Sequence, residues 1–504
     1  MKRLLTFLAL SICAMTSAQT IDDVLRYSTE NLQGTPRFQG MGGAFGALGG
    51  DLSALSANPA GSAVFNNSVF SFTGTYFDRK AKADYLGSRT DDKSNSLDIN
   101  QVGGALVFKS NNPDSKWKKI SAAFNYDMMQ NYDDRIYIAG TGNEGIDKYF
   151  LNYADGIAAE DIRTLENETL TDAYLDIGAT PNLGYSAQQA FLGFQAGIID
   201  PEPNDDTETT YISNADYNEL SQNFRQTVSG QNGKFTINGA AQYGDNFYFG
   251  ASLNFYNVLY DRLDRYHEEY IDTNSNVTRA TFENLLETEG GGFSFGLGAM
   301  GKLGDFIRLG ASYQSPTWYR LTDNLSQRIA SNYPNRAPEI DRSPFLGTTI
   351  FDYQIKTPGK FTGSIAAVFG KNGLLSFDYG YQDYSKAELR PTTDAFFSDQ
   401  NAAISENLDA VSTFRVGGEY RIQRLSLRAG YRYQQSPYGS GKIIGDFNAI
   451  SGGLGYNFGG SRLDFAINRT EQDVLRYLAE TGINAPALVN KVNMHYSLGY
   501  TLNF

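Results

Sequence analysis

The sequence predicts an all-β protein: an antiparallel transmembrane β-barrel of about fourteen strands, plugged by an N-terminal hatch and carrying a partly helical long extracellular loop. Three observations predict it. Tyr and Phe number 33 each and Gly 52, against one Cys and two His in 504 residues, a profile of short aromatic strands and tight turns. After the first residues no apolar run reaches about 18 residues, so helices cannot cross a bilayer and only a closed barrel can pair every backbone group within one. The last strand alternates strictly, with Met494, Tyr496, Leu498, Tyr500, Leu502 and Phe504 on one face and His495, Ser497, Gly499, Thr501 and Asn503 on the other. One oily and one wet face, ending on an aromatic residue, suit a strand between lipid and lumen.

Taken in chain order, residues 1–18 read as a secretory signal. Lys2 and Arg3 form its positive start, Leu4 to Ala14 its apolar run, and Thr16-Ser17-Ala18 its small-residue cleavage site. Ile12 is too bulky for a lipobox ahead of Cys13, so lipidation is not expected. Cys13 is the only cysteine, which leaves a mature chain without disulfides, thiol chemistry or Cys-ligated metals. The net charge of −14 argues against nucleic acid as a partner, because phosphate binding needs a basic surface.

Residues 19–66 are expected to form a compact plug. They are dense in Gly and Ala, with Gly40-Met41-Gly42-Gly43, Asp51 and Asn58-Pro59-Ala60 where backbone must pack closely and turn sharply. The barrel then occupies 67–504. Alternating segments begin near 67, 97, 117, 223, 246, 280, 305, 349, 373, 410, 424, 445, 461 and 492, about fourteen in all. Gly244-Asp245-Asn246, Gly304-Asp305, Lys371-Asn372-Gly373 and Gly459-Gly460-Ser461 mark short periplasmic turns, and longer polar stretches between the other strand ends mark extracellular loops. Arg308, Asp378, Arg428, Arg432 and Asp464 fall in mid-strand opposite apolar residues and are placed in the lumen, since charge facing lipid is costly. The stretch 129–222 is too long for a plain loop and carries two helical stripes. These are Leu151, Ala154, Ala158, Ile162 and Leu165, and then Ala187, Ala190, Phe191, Phe194 and Ile198. They pack on themselves as a loop subdomain or form an external apolar groove.

On these residues the chain resembles the FadL (OmpP1/TodX) family of outer-membrane transporters for long-chain fatty acids and other hydrophobic molecules. Gly40, Gly42, Gly43, Asp51, Asn58, Pro59 and Ala60 carry the resemblance, standing between a signal peptide and a barrel of about fourteen strands that ends on Phe. The resemblance implies a monomer in the bacterial outer membrane, whose hatch gates passage of a fatty acid-like ligand. The ligand would leave sideways at a kinked third strand, here about Lys118 to Asp127, which contains no proline. It implies no enzyme activity and no cofactor. A related barrel serves the type IX secretion system, so a cargo-binding, non-transporting subunit is the alternative.

The candidate ligand contacts are Arg37, Phe38, Phe45, Arg308, Arg428 and Arg432, joined by Arg415. Arginine pairs with carboxylates in bidentate fashion, so these could meet a fatty carboxylate or could pair with Asp378, Glu419, Asp464 or Asp51. His267 and His495 lack His or Cys neighbours and read as polar structural residues, not metal, haem or catalytic groups. Asp91-Asp92 and Asn204-Asp205-Asp206 do not fit calcium-loop spacing and read as loop tips.

Overall fold

A computed structural model describes residues 20–203, 205–271, 275–334, 344–441 and 443–504. The expected signal segment, 1–18, lies outside the described residues, as does Asn204. Fourteen staves form the barrel. They are β1 Val69–Tyr85, β2 Ser88–Lys109, β3 Trp117–Asn131 continued by Asp134–Gly142, β4 Glu219–Tyr243, β5 Phe247–Ile271, β6 Arg279–Leu303 and β7 Ile307–Gln314 with Trp318–Ser331. The ring continues as β8 Leu346–Lys356 with Lys360–Phe369, β9 Gly373–Asp383 with Glu388–Arg390, β10 Ala410–Ile422, β11 Leu425–Gln434, β12 Phe447–Asn457, β13 Ser461–Arg476 and β14 Ala487–Asn503. Each pairs antiparallel with its sequence neighbours, and β14 returns to β1 from Val69↔Asn503 to Asp84↔Leu488. Closure joins every stave to both of its neighbours, as a bilayer demands, although among the described residues the β2–β3 ladder stops at Gln101↔Asp127.

The pleat sorts side chains as the alternation requires. Leu498 and Leu502 face outward at 55% and 42% exposure, while His495 and Ser497 are buried inside. On β9 the rings of Phe377, Tyr379 and Tyr381 point out and Asp378 points in; on β11 Leu427 and Tyr431 point out and Arg428 and Arg432 in. No described helix is long and apolar enough to cross a membrane.

β2 starts at Ser88 and β14 at Ala487, earlier than the alternation suggested. Above the lipid both faces of a strand are wet, so an apolar period is no longer required and the sequence signal fades although the ladder continues. Asp91 and Asp92 accordingly lie on the upper part of β2, paired with Lys82 and Ala81, rather than at a loop tip. The wall is also uneven. β4, β5 and β6 are 25 residues each and β11 only 10. At about 3.3 Å per residue the tall staves greatly exceed the ~25 Å apolar band.

Between β3 and β4 stand the helices α3 Ile146–Ala154, α4 Leu170–Ala179 and α5 Gly184–Gln195. Their stripes meet one another and the tall wall: Phe150, Tyr174, Phe191 and Ile198 share a core with Phe224 of β4, Tyr266 of β5 and Phe282 of β6. The first expected stripe does not form one helix: only Leu151 and Ala154 lie on α3, Ile162 ends a 3-10 turn at Ala159–Ile162, and Leu165 is 72% exposed. This subdomain roofs the outer mouth.

Residues 20–66 fill the lumen. Helix α1, Ile21–Ser28, is started by a capping box of Thr20 and Asp23. A short helix α2, Pro36–Gly40, has Pro at its first position and Thr35 capping Phe38 N; two 3-10 turns follow, Ser53–Ser56 and Pro59–Val64. From Leu32 to Gly49 every residue is buried, and the wall makes room with glycine. A Cβ on Gly310 would lie 2.1 Å from Gly46 O, on Gly430 2.2 Å from Gly42 N, on Gly417 2.3 Å from Met41 O and on Gly250 2.4 Å from Pro59 O. Each is a backbone contact that a side chain would forbid.

Candidate functional site

Three features of the lumen bear on function: a cavity under the roof, the hatch that floors it, and an unzipped seam in the wall beside the hatch. The cavity measures about 670 Å³, within the usual range for small-molecule sites. Its floor is α1 with Thr29, Glu30 and Asn31; Tyr149 comes from the roof, and Phe224, Tyr266 and Phe282 from the tall wall. Tyr438 and Leu478, from the loops after β11 and β13, close it together with Phe447 at the start of β12 and Leu475 near the end of β13. The lining is amphipathic. Arg262 and Arg476 share one carboxylate, Asp264 Oδ2, at 3.1 and 3.8 Å, and the guanidinium of Arg26 lies 4.2 Å from the centre of the Tyr260 ring.

The hatch is tied to the wall by buried charge. Arg37 Nε contacts Glu419 Oε2 at 3.0 Å; Arg428 bridges the same oxygen at 2.7 Å and Asp464 Oδ1 at 2.7 Å. Asp378 accepts from the backbone N–H groups of Phe45 and Gly46, both at 3.0 Å. Such a network stabilises only when every member is satisfied, so removing one partner strands another charge away from water. Asn58 acts as a polar rivet: Nδ2 donates to Gly46 O at 2.8 Å, Ala299 O at 3.1 Å and Ala311 O at 3.3 Å, while Oδ1 accepts from Ala60 N. Asp51 accepts from Thr35 Oγ1 at 2.7 Å and Ser53 N at 3.0 Å, folding the hatch on itself. Gly42 and Gly43 adopt φ of +62° and +75°, which glycine alone takes without strain.

The six candidate ligand contacts therefore divide. Arg37, Phe45 and Arg428 sit in the hatch–wall contact, Phe45 fully buried under the Arg37 guanidinium. Arg308 donates to Leu48 O at 3.3 Å. Phe38 and Arg432 line a small inner void of about 30 Å³ together with Arg415. None of the six lines the large cavity. Its residues come from distant parts of the chain, and no linear motif collects them. A period-2 reading of β5 was the available signal, since it puts Arg262 and Asp264 on the inner face. His495 packs edge-on against Phe77 at 4.8 Å inside the barrel, and His267 Nδ1 lies 2.7 Å from Thr281 Oγ1 on the rim.

The seam lies between β2 and β3. Their ladder runs from Lys109↔Lys119 to Gln101↔Asp127 and stops; above it, among the described residues, Ser88–Ile99 pairs as a strand with β1 alone, and a register shift passes over Asn100. On β3 the register slips between Met128 and Gln130, leaving Met129 as an extra residue. Such a bulge bends a strand without proline; Met129 keeps the inner face of Asp127, where it lines two inner voids, and Gln130 is brought inside after it. Hydrogen bonds donated by side chains span the gap instead of a backbone ladder: Asn131 Nδ2 donates to Asp98 Oδ2 at 2.7 Å and Thr90 Oγ1 to the backbone Tyr137 O at 2.5 Å. Leu97 and Ile99, 75% and 52% exposed, face outward beside it. The hatch holds both lips, Gly34 N donating to Asn100 Oδ1 at 2.5 Å and Ser53 Oγ to Asp127 Oδ1 at 2.9 Å.

Comparison with known proteins bears on both fold and function. The family model described as outer membrane protein transport protein (OMPP1/FadL/TodX) matches residues 204–497. A solved FadL homologue of Pseudomonas aeruginosa is 14% identical, with 95% of this chain and all of that chain covered at a TM-score of 0.53. The toluene transporter TodX of Pseudomonas putida is 14% identical, with 94% and 99% covered at a TM-score of 0.50. These likenesses speak to the fold. A search of curated proteins finds no match.

Proposed function

The chain belongs to the OMPP1/FadL/TodX family of outer-membrane transport proteins, and from that premise we propose that it takes up long-chain fatty acids or similar amphiphiles and releases them sideways through its wall. Residence in a bacterial outer membrane and carriage of hydrophobic compounds come with the family. The observation that carries the finer reading is the amphipathic cavity of about 670 Å³ at the outer mouth, floored by a hatch whose other contacts hold the β2–β3 seam. A water-filled pore offers an oily molecule nothing, whereas a cavity leading to lipid lets it avoid water throughout. Displacement of the hatch would free Asn100 and Asp127 together, one on each lip, so ligand entry and seam opening would be coupled by the same residues. No chemical step is needed.

The test is uptake of a labelled long-chain fatty acid by cells with and without the gene. Loss of uptake on deletion, restored by the intact gene, is the expected result. Normal uptake with impaired protein secretion would overturn the reading in favour of a secretion-system subunit.

A further inference from the structure

One carboxylate separates the outer cavity from the inner voids. Glu30 lines the large cavity and also two of the small inner voids, each about 30 Å³, that lie between the hatch and the wall. Its side chain forms an ion pair with Lys360, the only hydrogen-bond partner that Lys360 Nζ has among the described residues. Around it stand more cations than the carboxylates answer. Arg432 donates from Nη2 to Glu30 O at 2.8 Å and to Gln434 Oε1 at 2.7 Å, but its buried Nε has no hydrogen-bond partner. Arg415, 7% exposed, borders the same void as Arg432 and likewise has a buried, unpartnered Nε. Lys234, 2% exposed, is held by a hydroxyl, Ser56 Oγ, at 2.6 Å. Against these four cations stand Glu30, Asp378 and Asp127, and the last two are already committed. Asp378 accepts hatch N–H groups; Asp127 accepts from Ser53 and Asn125. Buried guanidinium N–H groups are rarely left unpaired, because each costs free energy when cut off from water. The cluster has capacity for a further anion, and its walls include the apolar side chains of Leu32, Phe38 and Met129.

We infer that Lys360, Arg415 and Arg432 form an inner site for the carboxylate of an amphiphile, and that Glu30 is a tethered stand-in which the incoming carboxylate displaces. The inference rests on the uptake reading above and adds the head group and the trigger. Each void is now large enough only for about one water, so a ligand enters only as Glu30 leaves; its departure joins the voids to the outer cavity. Leu32, Gln33 and Gly34 follow Glu30 directly and lead to the lip contact at Asn100, so displacement at Glu30 pulls on the seam. A tethered group competes at an effective concentration in the millimolar range, which sets the threshold a free carboxylate must beat.

The experiment measures equilibrium binding of oleate and of its neutral counterpart, oleyl alcohol, to the full chain in mild detergent. Glu30→Gln removes the competing charge and keeps the shape, so oleate should bind about tenfold tighter, while the alcohol, which has no charge with which to displace Glu30 and stays in the outer cavity, is unchanged. Lys360→Met and Arg415→Met should weaken oleate by about tenfold or more and leave the alcohol alone. Equal effects on both probes, or no effect of Glu30→Gln on oleate, overturn the stand-in and leave the uptake reading standing. If the unaltered protein binds neither probe, the uptake reading falls, and the inference with it.

Discussion

Single residues decide whether the hatch seats. Gly310 has no room for a methyl group, its Cβ position being 2.1 Å from Gly46 O. Gly310→Ala should push the hatch off the wall, and limited proteolysis should then cleave within residues 20–66 faster than in the unaltered protein. Asn58 serves three carbonyl oxygens and one N–H at once; Asn58→Ala should cost about 1–3 kcal/mol, read as a lower melting temperature. Glu30 carries a pH signature. Burial acts to raise its carboxyl, but the Lys360 ammonium, aided by Lys234 and Arg415, outweighs burial and holds it at about 2 against an ordinary 4.5. A lowered value means that the stabilisation is complete above 4.5 and is lost as pH falls toward 2. Proteolytic release of the hatch should therefore stay flat on acidification down to about pH 5 and climb below it. Of these residues Asn58 was legible as a motif. Gly310 and Glu30 were not, because the first matters through a backbone 264 positions away in sequence and the second through cations drawn from three staves.

At the scale of elements, the seam and the roof are the parts that differ from a uniform barrel. The β2–β3 gap is spanned by Asn131 and Asp98 at 2.7 Å. With Cys13 the only native cysteine, Asp98→Cys with Asn131→Cys, joined by a short bis-maleimide, should reduce fatty acid uptake to the level of the gene deletion. Binding in detergent should remain, and uptake that survives cross-linking would place the exit elsewhere. All fourteen staves could be found from alternation, with starts displaced by 0 to 9 residues. The largest displacement, at β2, arises where the strand leaves the lipid and its polar residues Ser88–Ser96 keep the ladder without an apolar face. The second helical stripe was equally legible, since Ala187, Ala190, Phe191, Phe194 and Ile198 are all buried. The seam was not, because a ladder that stops leaves no mark on residue types: Gln101 and Asn100 read alike, and one is paired to β3 while the other is not.

For the whole molecule, a barrel filled by its own chain should pass few ions. In planar bilayers the intact protein is expected to give little conductance, and deletion of residues 20–66 should open a steady pore; high conductance of the intact protein would mean that the hatch does not seal. The class of this fold follows from local rules that sequence expresses directly. Lipid forbids unpaired backbone, alternation tells lipid from lumen, and glycine-rich segments with sharp turns suit a plug. Alternation of β14 by itself separated the face of Leu498 and Leu502 from that of His495 and Ser497. What only the tertiary structure decided is which lumenal charges meet. Arg428 has Glu419 and Asp464, Arg432 has the backbone of Glu30, and Arg415 has a void. The reason is physical: an inward-facing arginine is specified by a period of two along its strand, whereas its partner is set by stagger around the closed ring and by how the hatch lies inside it, neither of which any single segment encodes.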